Sequence, residues 1–304
     1  MRTPLESKIG NTPLVRLTLT ERAFKLSAAL YAKAENTNLG SSIKDRVAQA
    51  ILDKAEAEGR LTKGGLIVEA TSGNTGIGLA LVGALRGYKT VIVMPDSMSK
   101  RRRELIQKYG GELVLTDGKL GMQGAVDRAL EIVNGTPNSI LADQFNNPAC
   151  VTAHYEGTGA EIWSQTDGKA DIFVAGVGTG GTLTGVGKCL KERSKNVKIV
   201  AVEPKNSPLL SKGRAGAHRI QGIGANFIPS VLDREIYDEV LPIEDEVAIE
   251  TAKFLREEEN LYVGISSGAN VAAAICLAKR SENAGKNIVT VLPDDWERYV
   301  DVHE

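Results

Sequence analysis

Four short segments of this 304-residue chain carry groups that could do chemistry, and each sits where an apolar run gives way to a helical pattern. The run that starts at Asp171 reads DIFVAGVGTGGTLTG, with Gly176, Gly178, Gly180 and Gly181 set among Val177, Thr179 and Thr182. Glycines let backbone N–H groups approach an anion, and the helix that follows adds partial positive charge, so the segment suits a phosphate. Alone, it also suits a ligand-free turn. Because Gly176, Gly178 and Gly181 fit GxGxxG and Glu203 ends the next apolar run, a nicotinamide dinucleotide is a third reading. A second segment places Lys44 in the first turn of a helix predicted over 42–58, after the polar turn Gly40-Ser41-Ser42. A helix dipole and desolvation both depress the pKa of an amine there, which suits Schiff-base chemistry; a solvated lysine beside Asp45 and Arg46 is the plainer alternative. The third segment runs from Glu69 through Thr71, Ser72, Asn74 and Thr75 to Gly76. Its hydroxyls, amide and helix-start N–H groups suit a carboxylate or phenolate, whereas a simple N-cap needs only one of them. The fourth, Val263 to Asn270, offers Ser266 or Ser267 to a ligand or to a helix cap.

Short Val- and Ile-rich runs alternate with longer amphipathic stretches and must position these groups. Strands are predicted over 28–32, 66–70, 90–94, 112–115, 172–177, 198–202 and 288–292. Helices are predicted over 42–58, 76–85, 100–109, 122–133, 182–193 and 245–258. Runs apolar almost throughout belong to strands covered on both faces, and strand–helix–strand repetition argues for doubly wound, mainly parallel α/β sheets. The strands fall into two groups of about four, one over 38–147 and one over 148–304, the latter joined by residues 1–37. A cleft between two such domains is the default place for a small ligand.

Composition narrows the partners. Thirty-seven basic and 38 acidic side chains give a formal charge of −1, which removes the main electrostatic reason to expect nucleic acid or an acidic membrane. No stretch of 18 apolar residues is present and the N-terminus has no apolar signal core, so a cytoplasmic protein with no membrane span is expected. Cys150, Cys189 and Cys276 are widely spaced and form no CxxC pair, as befits reduced thiols. With three histidines in all, no metal site is expected.

The motifs together resemble the cysteine synthase and cystathionine β-synthase family of fold type II pyridoxal-phosphate enzymes. The resemblance rests on Ile9-Gly10-Asn11-Thr12-Pro13-Leu14-Val15, Ser42-Ile43-Lys44-Asp45-Arg46, the Glu69 to Gly76 segment and Met94-Pro95-Asp96. It continues through Gln144-Phe145-Asn146-Asn147-Pro148, Gly178 to Thr182, Gln221-Gly222-Ile223-Gly224-Ala225 and Gly264-Ile265-Ser266-Ser267-Gly268, in the family's order over nearly the whole chain. It implies two α/β domains with pyridoxal 5'-phosphate in the cleft between them. Residues 38–147 would be the smaller, mobile substrate-binding domain; residues 1–37 and 148–304 would hold the cofactor phosphate. It implies that Lys44 holds the cofactor as a Schiff base and takes the substrate's Cα proton, and that Asn74 bonds the ring's phenolate oxygen. Gly178, Thr179, Gly180, Gly181 and Thr182 would bind the phosphate, and Ser266 would face the pyridine nitrogen. Thr71, Ser72, Thr75 and Gln144 would bind the substrate α-carboxylate, with Gly222 near its amine and β-substituent.

The implied reaction is β-replacement: O-acetyl-L-serine loses acetate and gains sulfide, giving L-cysteine. Condensation with homocysteine to cystathionine is the alternative within the family, and a nicotinamide-dependent oxidoreductase or a silent binding protein the alternatives outside it. The resemblance further implies a homodimer and serine acetyltransferase as a partner; from a sequence that stops at Glu304, neither a haem-binding extension nor a C-terminal regulatory domain is expected. Four departures stand out: Leu39 where the family usually has proline, Ser41 and Asn226 at commonly glycine positions, and Asp295-Trp296 in place of two small residues. Trp296 is expected either to narrow the acceptor channel or to pack away from the ligand, and Asp295 to approach the pyridine nitrogen.

Overall fold

Side chains alternate across a strand, so a run such as Leu66–Ala70 offers Ile67 to one face and Val68 to the other, and both must be covered. The computed structural model describes every residue except Met1, Ser72, Ser99, His303 and Glu304, with the side chains of residues 300–302 also left out. Its strands are β1 Leu14–Arg16, β2 Ala29–Ala34, β3 Leu66–Ala70, β4 Lys89–Pro95, β5 Glu112–Thr116, β6 Ser139–Leu141, β7 Ile172–Gly176, β8 Lys198–Pro204, β9 Glu239–Ile243 and β10 Asn287–Leu292. They form two sheets, and the chain divides into two compact units: residues 1–9 with 38–150, and residues 10–37 with 151–304.

The smaller unit holds a wholly parallel sheet in the order β5-β4-β3-β6. On one face Ile67, Ile92 and Met94 pack with Val47, Ile51 and Ile77 from the helices Lys44–Ala57 and Asn74–Arg86. On the other, Val68, Val91 and Val93 meet Ala125 and Ala129 of the helix Gly121–Gly135. Residues 1–9 belong here rather than with the larger group to which strand grouping assigns residues 1–37. The physical reason is Glu6, whose buried carboxylate accepts hydrogen bonds from Arg86 at 2.6 and 3.0 Å while Arg86 also binds Asp53 and Glu56.

The larger unit holds six strands, in the order β1-β2-β10-β7-β8-β9, all parallel except the edge strand β1. Val174, Val200 and Ile288 lie under the helix Ile265–Ala278, and Phe173, Ile199 and Val289 under the helix Gly181–Arg193. Six strands rather than about four arise because the short strands β1 and β9 add to the edges. The doubly wound, mainly parallel α/β class expected from the sequence is the class found.

Candidate functional site

Each unit carries its own set of polar groups at the C-terminal ends of its strands, where helix N-termini point. In the smaller unit Lys44 is the first residue of its helix and is half-buried; its amide donates to Ser42 Oγ at 3.1 Å. The turn before it is shaped by two neighbours. Ser41 takes a left-handed conformation (φ 59°), which explains why glycine suits this position, and the Gly40 amide donates to Asp45 Oδ2 at 2.5 Å. A Cβ on Gly40 would lie 2.7 Å from the other carboxylate oxygen, so any other residue there forces Asp45 or Leu81 to shift. Gly78, one turn into the next helix, brings its backbone against Lys44: a Cβ there would sit 3.0 Å from the Lys44 carbonyl oxygen. Nothing in local sequence pattern marks Gly78.

The turn after β3 carries the second group. Thr71 is buried, its Oγ1 accepting from the Gly73 amide at 3.2 Å, and Asn74 opens the following helix. Thr75 Oγ1 donates to Gln144 Oε1 at 2.5 Å, so two residues 69 apart in sequence, both expected at the substrate carboxylate, meet. Ser72, expected in the same role, lies outside the described residues. Behind the pair is Glu69, 3% exposed, whose carboxylate accepts from the amides of Asp143 at 2.8 Å and Gln144 at 3.4 Å. Burial pushes its carboxyl up to about 8, with the two amide bonds opposing that shift. Cys150 Sγ donates to the Gln144 carbonyl at 3.3 Å; burial pushes this thiol up to about 12 despite the opposing charge of Lys44.

In the larger unit β7 runs into Gly178, Thr179 and Gly180 before the helix Gly181–Arg193. Gly178 approaches the Gly222 carbonyl so closely that a Cβ would lie 2.4 Å from its oxygen, and Gly180 is left-handed at φ 86°. Among the described residues the amides of Gly178, Thr179, Gly180 and Thr182 find no acceptor in the protein, while Gly181 N donates to Thr179 Oγ1. Unpaired amides at a helix start suit a phosphate. Thr182 Oγ1 lies 3.2 Å from His154 Nε2, and His154 Nδ1 lies 3.0 Å from Thr158 Oγ1. His154 is buried in the π-helical segment Ala153–Gly159, a widened turn that no sequence period announces.

Ser266, the second residue of the helix Ile265–Ala278, is buried, with its Oγ 3.7 Å from where a Gly222 Cβ would stand. One turn later Asn270, 1% exposed, accepts from Gly176 N at 2.8 Å and donates to the Val291 carbonyl at 2.9 Å. It thereby ties the root of the glycine loop to β10 and to the helix bearing Ser266. Sequence reading missed this role because Asn270 is distant in the chain from both partners.

Two expectations raised by the sequence meet partners in the structure. Glu203 does not await a ribose: its buried carboxylate accepts from the amides of Leu210 and Ser211 and from the Ser211 hydroxyl, capping a short helix, so the dinucleotide reading loses its anchor. Trp296 stacks on Arg256, 4.4 Å from guanidinium carbon to ring centre, on the helix Asp245–Glu258; Asp295 accepts from the Glu297 amide at 2.8 Å as a cap. Of the two roles expected for Trp296, this stacking favours packing on the protein, and the Asp295 carboxylate has a local partner in the Glu297 amide. Among the described residues no cluster of His, Cys, Asp and Glu could hold a metal ion.

The family described as pyridoxal-phosphate dependent enzyme matches residues 5–294. Cysteine synthase B of Campylobacter jejuni is 51% identical over 292 residues, covering 96% of this chain and 95% of that protein. A cysteine synthase of Staphylococcus aureus is 48% identical over 295 residues, covering 96% and 93%. Among solved structures, cysteine synthase from Entamoeba histolytica superimposes with a TM-score of 0.94 at 42% identity, covering 99% of this chain and 89% of the other. An O-ureido-L-serine synthase does so at 0.92 and 41%, covering 99% and 94%.

Proposed function

The chain belongs to the family of pyridoxal-phosphate dependent enzymes, and we infer that within it the chain is a cysteine synthase, converting O-acetyl-L-serine and sulfide to L-cysteine and acetate. The observation that carries this is identity of 51% and 48%, over 96% of the chain, with two proteins named cysteine synthase. Geometry supports it through the amide-lined glycine loop, the half-buried Lys44 and the Thr75–Gln144 pair.

When bound, pyridoxal phosphate supplies an electron-withdrawing ring that acidifies the amino acid's Cα–H and eases loss of a group from Cβ. Gly178, Thr179, Gly180, Gly181 and Thr182 hold its phosphate, with His154 orienting the Thr182 hydroxyl. Asn74 bonds the phenolate oxygen, and Ser266 meets the pyridine nitrogen with a hydroxyl, which does not hold a proton there as a carboxylate does. Lys44 would anchor the cofactor, and its amine would take the Cα proton of the substrate. Thr71, Ser72, Thr75 and Gln144 fix the α-carboxylate, with Gly222 beside the amine and β-substituent. Acetate departs from Cβ with its bonding pair, sulfide adds to the same carbon, and Lys44 returns the proton to Cα. The smaller unit is thus assigned the substrate carboxylate and the larger the cofactor phosphate.

A competition assay tests the reaction. Holoenzyme given O-acetylserine, sulfide and homocysteine together is expected to make cysteine in excess; an excess of cystathionine overturns the choice of nucleophile. Borohydride reduction and peptide mapping are expected to fix the cofactor on Lys44, and label on another lysine refutes its role. No helix among the described residues is long and apolar enough to cross a membrane. A cytoplasmic homodimer that docks serine acetyltransferase is the assembly the family resemblance supports, to be tested by light scattering and co-purification.

A further inference from the structure

We propose that Glu69 is a positioning residue for the substrate carboxylate, its buried carboxylate holding the Asp143–Gln144 backbone so that Gln144 stays on Thr75. This rests on the carboxylate-binding role given above to Thr75 and Gln144. Glu69 stands one residue from the end of β3, beside β6, whose ladder is extended by Ala142 N donating to the Val68 carbonyl at 2.9 Å. There the chain turns. Asp143 is left-handed at φ 51°, a conformation that residues with a Cβ disfavour, so something must hold it.

Glu69 supplies the hold, with Oε2 accepting from Asp143 N and Oε1 from Gln144 N. The rest of the turn hangs from the same point. The amides of Asn146 and Asn147 donate to the Asp143 carbonyl at 3.0 and 2.9 Å, Asn146 Nδ2 donates to Asp143 Oδ1 at 2.8 Å, and Asn147 Nδ2 donates to the Ala142 carbonyl at 3.0 Å. Two successive amides converging on one side chain call for an acceptor at both ends, which a carboxylate provides and a glutamine, with a donor at one end, does not.

The hold is sensitive to protonation. Burial, helped by the nearby charge of Asp143, outweighs the two amide bonds and a hydrogen bond from the Gln144 side chain, so the Glu69 carboxyl is pushed up to about 8. Below that pH one oxygen carries a proton and the second amide loses its full acceptor; above it both amides are held. Substrate affinity is therefore expected to rise as pH passes through this value.

The test compares holoenzyme carrying Glu69→Gln or Glu69→Asp with the parent, from about pH 6.5 to about pH 9.5. At about pH 9.5, where the parent carboxylate is ionised, Glu69→Gln is expected to keep its cofactor while KM for O-acetylserine is roughly tenfold above the parent's, about the worth of one hydrogen bond, with kcat changed much less; at about pH 6.5 the two are expected to converge. Its KM is expected to lose the pH dependence near 8, which a merely structural role would leave in place. Hydrogen exchange at the Asp143 and Gln144 amides is expected to quicken roughly tenfold at matched pH. Glu69→Asp, shorter but still ionisable, is expected to show a smaller KM rise and to retain a pH-dependent limb. Parent-like KM or amide exchange in Glu69→Gln at about pH 9.5, or a parent-like pH profile, overturns the proposal, as does parent-like exchange in Glu69→Asp at that pH should Glu69→Gln not fold. If the parent itself fails to turn over O-acetylserine, the functional reading fails instead, and the exchange comparison still decides whether Glu69 holds the turn.

Discussion

Truncating Asn270 to alanine removes both bonds that join the glycine loop to its support, and the loss can be estimated. The side-chain oxygen accepts from Gly176 N at 2.8 Å and the side-chain nitrogen donates to the Val291 carbonyl at 2.9 Å, in a place 1% exposed to solvent. Neither backbone group gains water when the amide is removed, so each loses a hydrogen bond and is left without a partner, at about 1–2 kcal/mol apiece. A total of about 3 kcal/mol corresponds to a fall in melting temperature of roughly 5–10 °C for a protein of this size. Because Gly176 is the last residue of β7 before the phosphate loop, Asn270→Ala is also expected to weaken cofactor affinity roughly tenfold. Asn270→Asp sharpens the test. A buried carboxyl has a raised pKa, and its neutral form can donate to Val291 as the amide does, whereas the ionised form sets a negative oxygen against a carbonyl. The aspartate variant should therefore be closer to the parent at about pH 5 than at about pH 8. Thermal unfolding read with and without added cofactor measures both effects. A melting temperature within about 1 °C of the parent, with unchanged cofactor affinity, would show that the loop is supported some other way.

Three further outcomes are expected. Gly178→Ala places a Cβ 2.4 Å from a backbone oxygen that cannot yield cheaply, so the purified protein should carry much less cofactor; full occupancy refutes the close-approach argument. Glu239 is held by Arg280 at 2.6 and 2.9 Å and by Lys198 at 2.7 Å, with the Arg280 bonds chiefly responsible for lowering its carboxyl to about 2. This stabilisation is present above the ordinary glutamate pKa of 4.5 and is lost as pH falls from there toward 2. After allowance for partial exposure it is worth about 1–2 kcal/mol, so Glu239→Gln should cost stability at neutral pH and little near pH 2, as acid and urea titrations will show. Trp296→Gly should cost about 0.5–1 kcal/mol through the lost stacking on Arg256 and leave the ratio of cysteine to cystathionine unchanged; a shifted ratio restores the channel role.

Strands β3, β4, β7, β8 and β10 were legible because each is a nearly unbroken apolar run with both faces to bury. β9 was not: Pro242 interrupts it and only Ile243 is buried, as suits an edge strand that needs few apolar residues. β1 and β6, three residues each, are too short to carry a period. The helix Ile265–Ala278 is buried on nearly every side, so it lacks the polar face that marks a helix in sequence, and only its start was read. The glycine loop and the lysine turn were legible because their constraints are local. Glu69 with Asp143, and Asn270 with Gly176 and Val291, are not, because each pairing joins elements whose meeting is decided by the fold.

An enzyme that generates an electrophilic carbon for sulfur to attack risks being attacked by its own sulfur. Cys150 donates to the carbonyl of Gln144, a residue assigned to the substrate, and feels the charge of Lys44, so it is a thiol close in the fold to residues proposed for the site. Burial lowers that risk without removing the cysteine. With its thiol pushed up to about 12, only about one molecule in 10⁵ carries a thiolate at pH 7, and the thiolate is the reactive form. Sulfide in solution meets no such penalty. The packing around Cys150 thus keeps this thiol in its unreactive protonated form, whereas the sulfur reagent of the proposed reaction comes from solution.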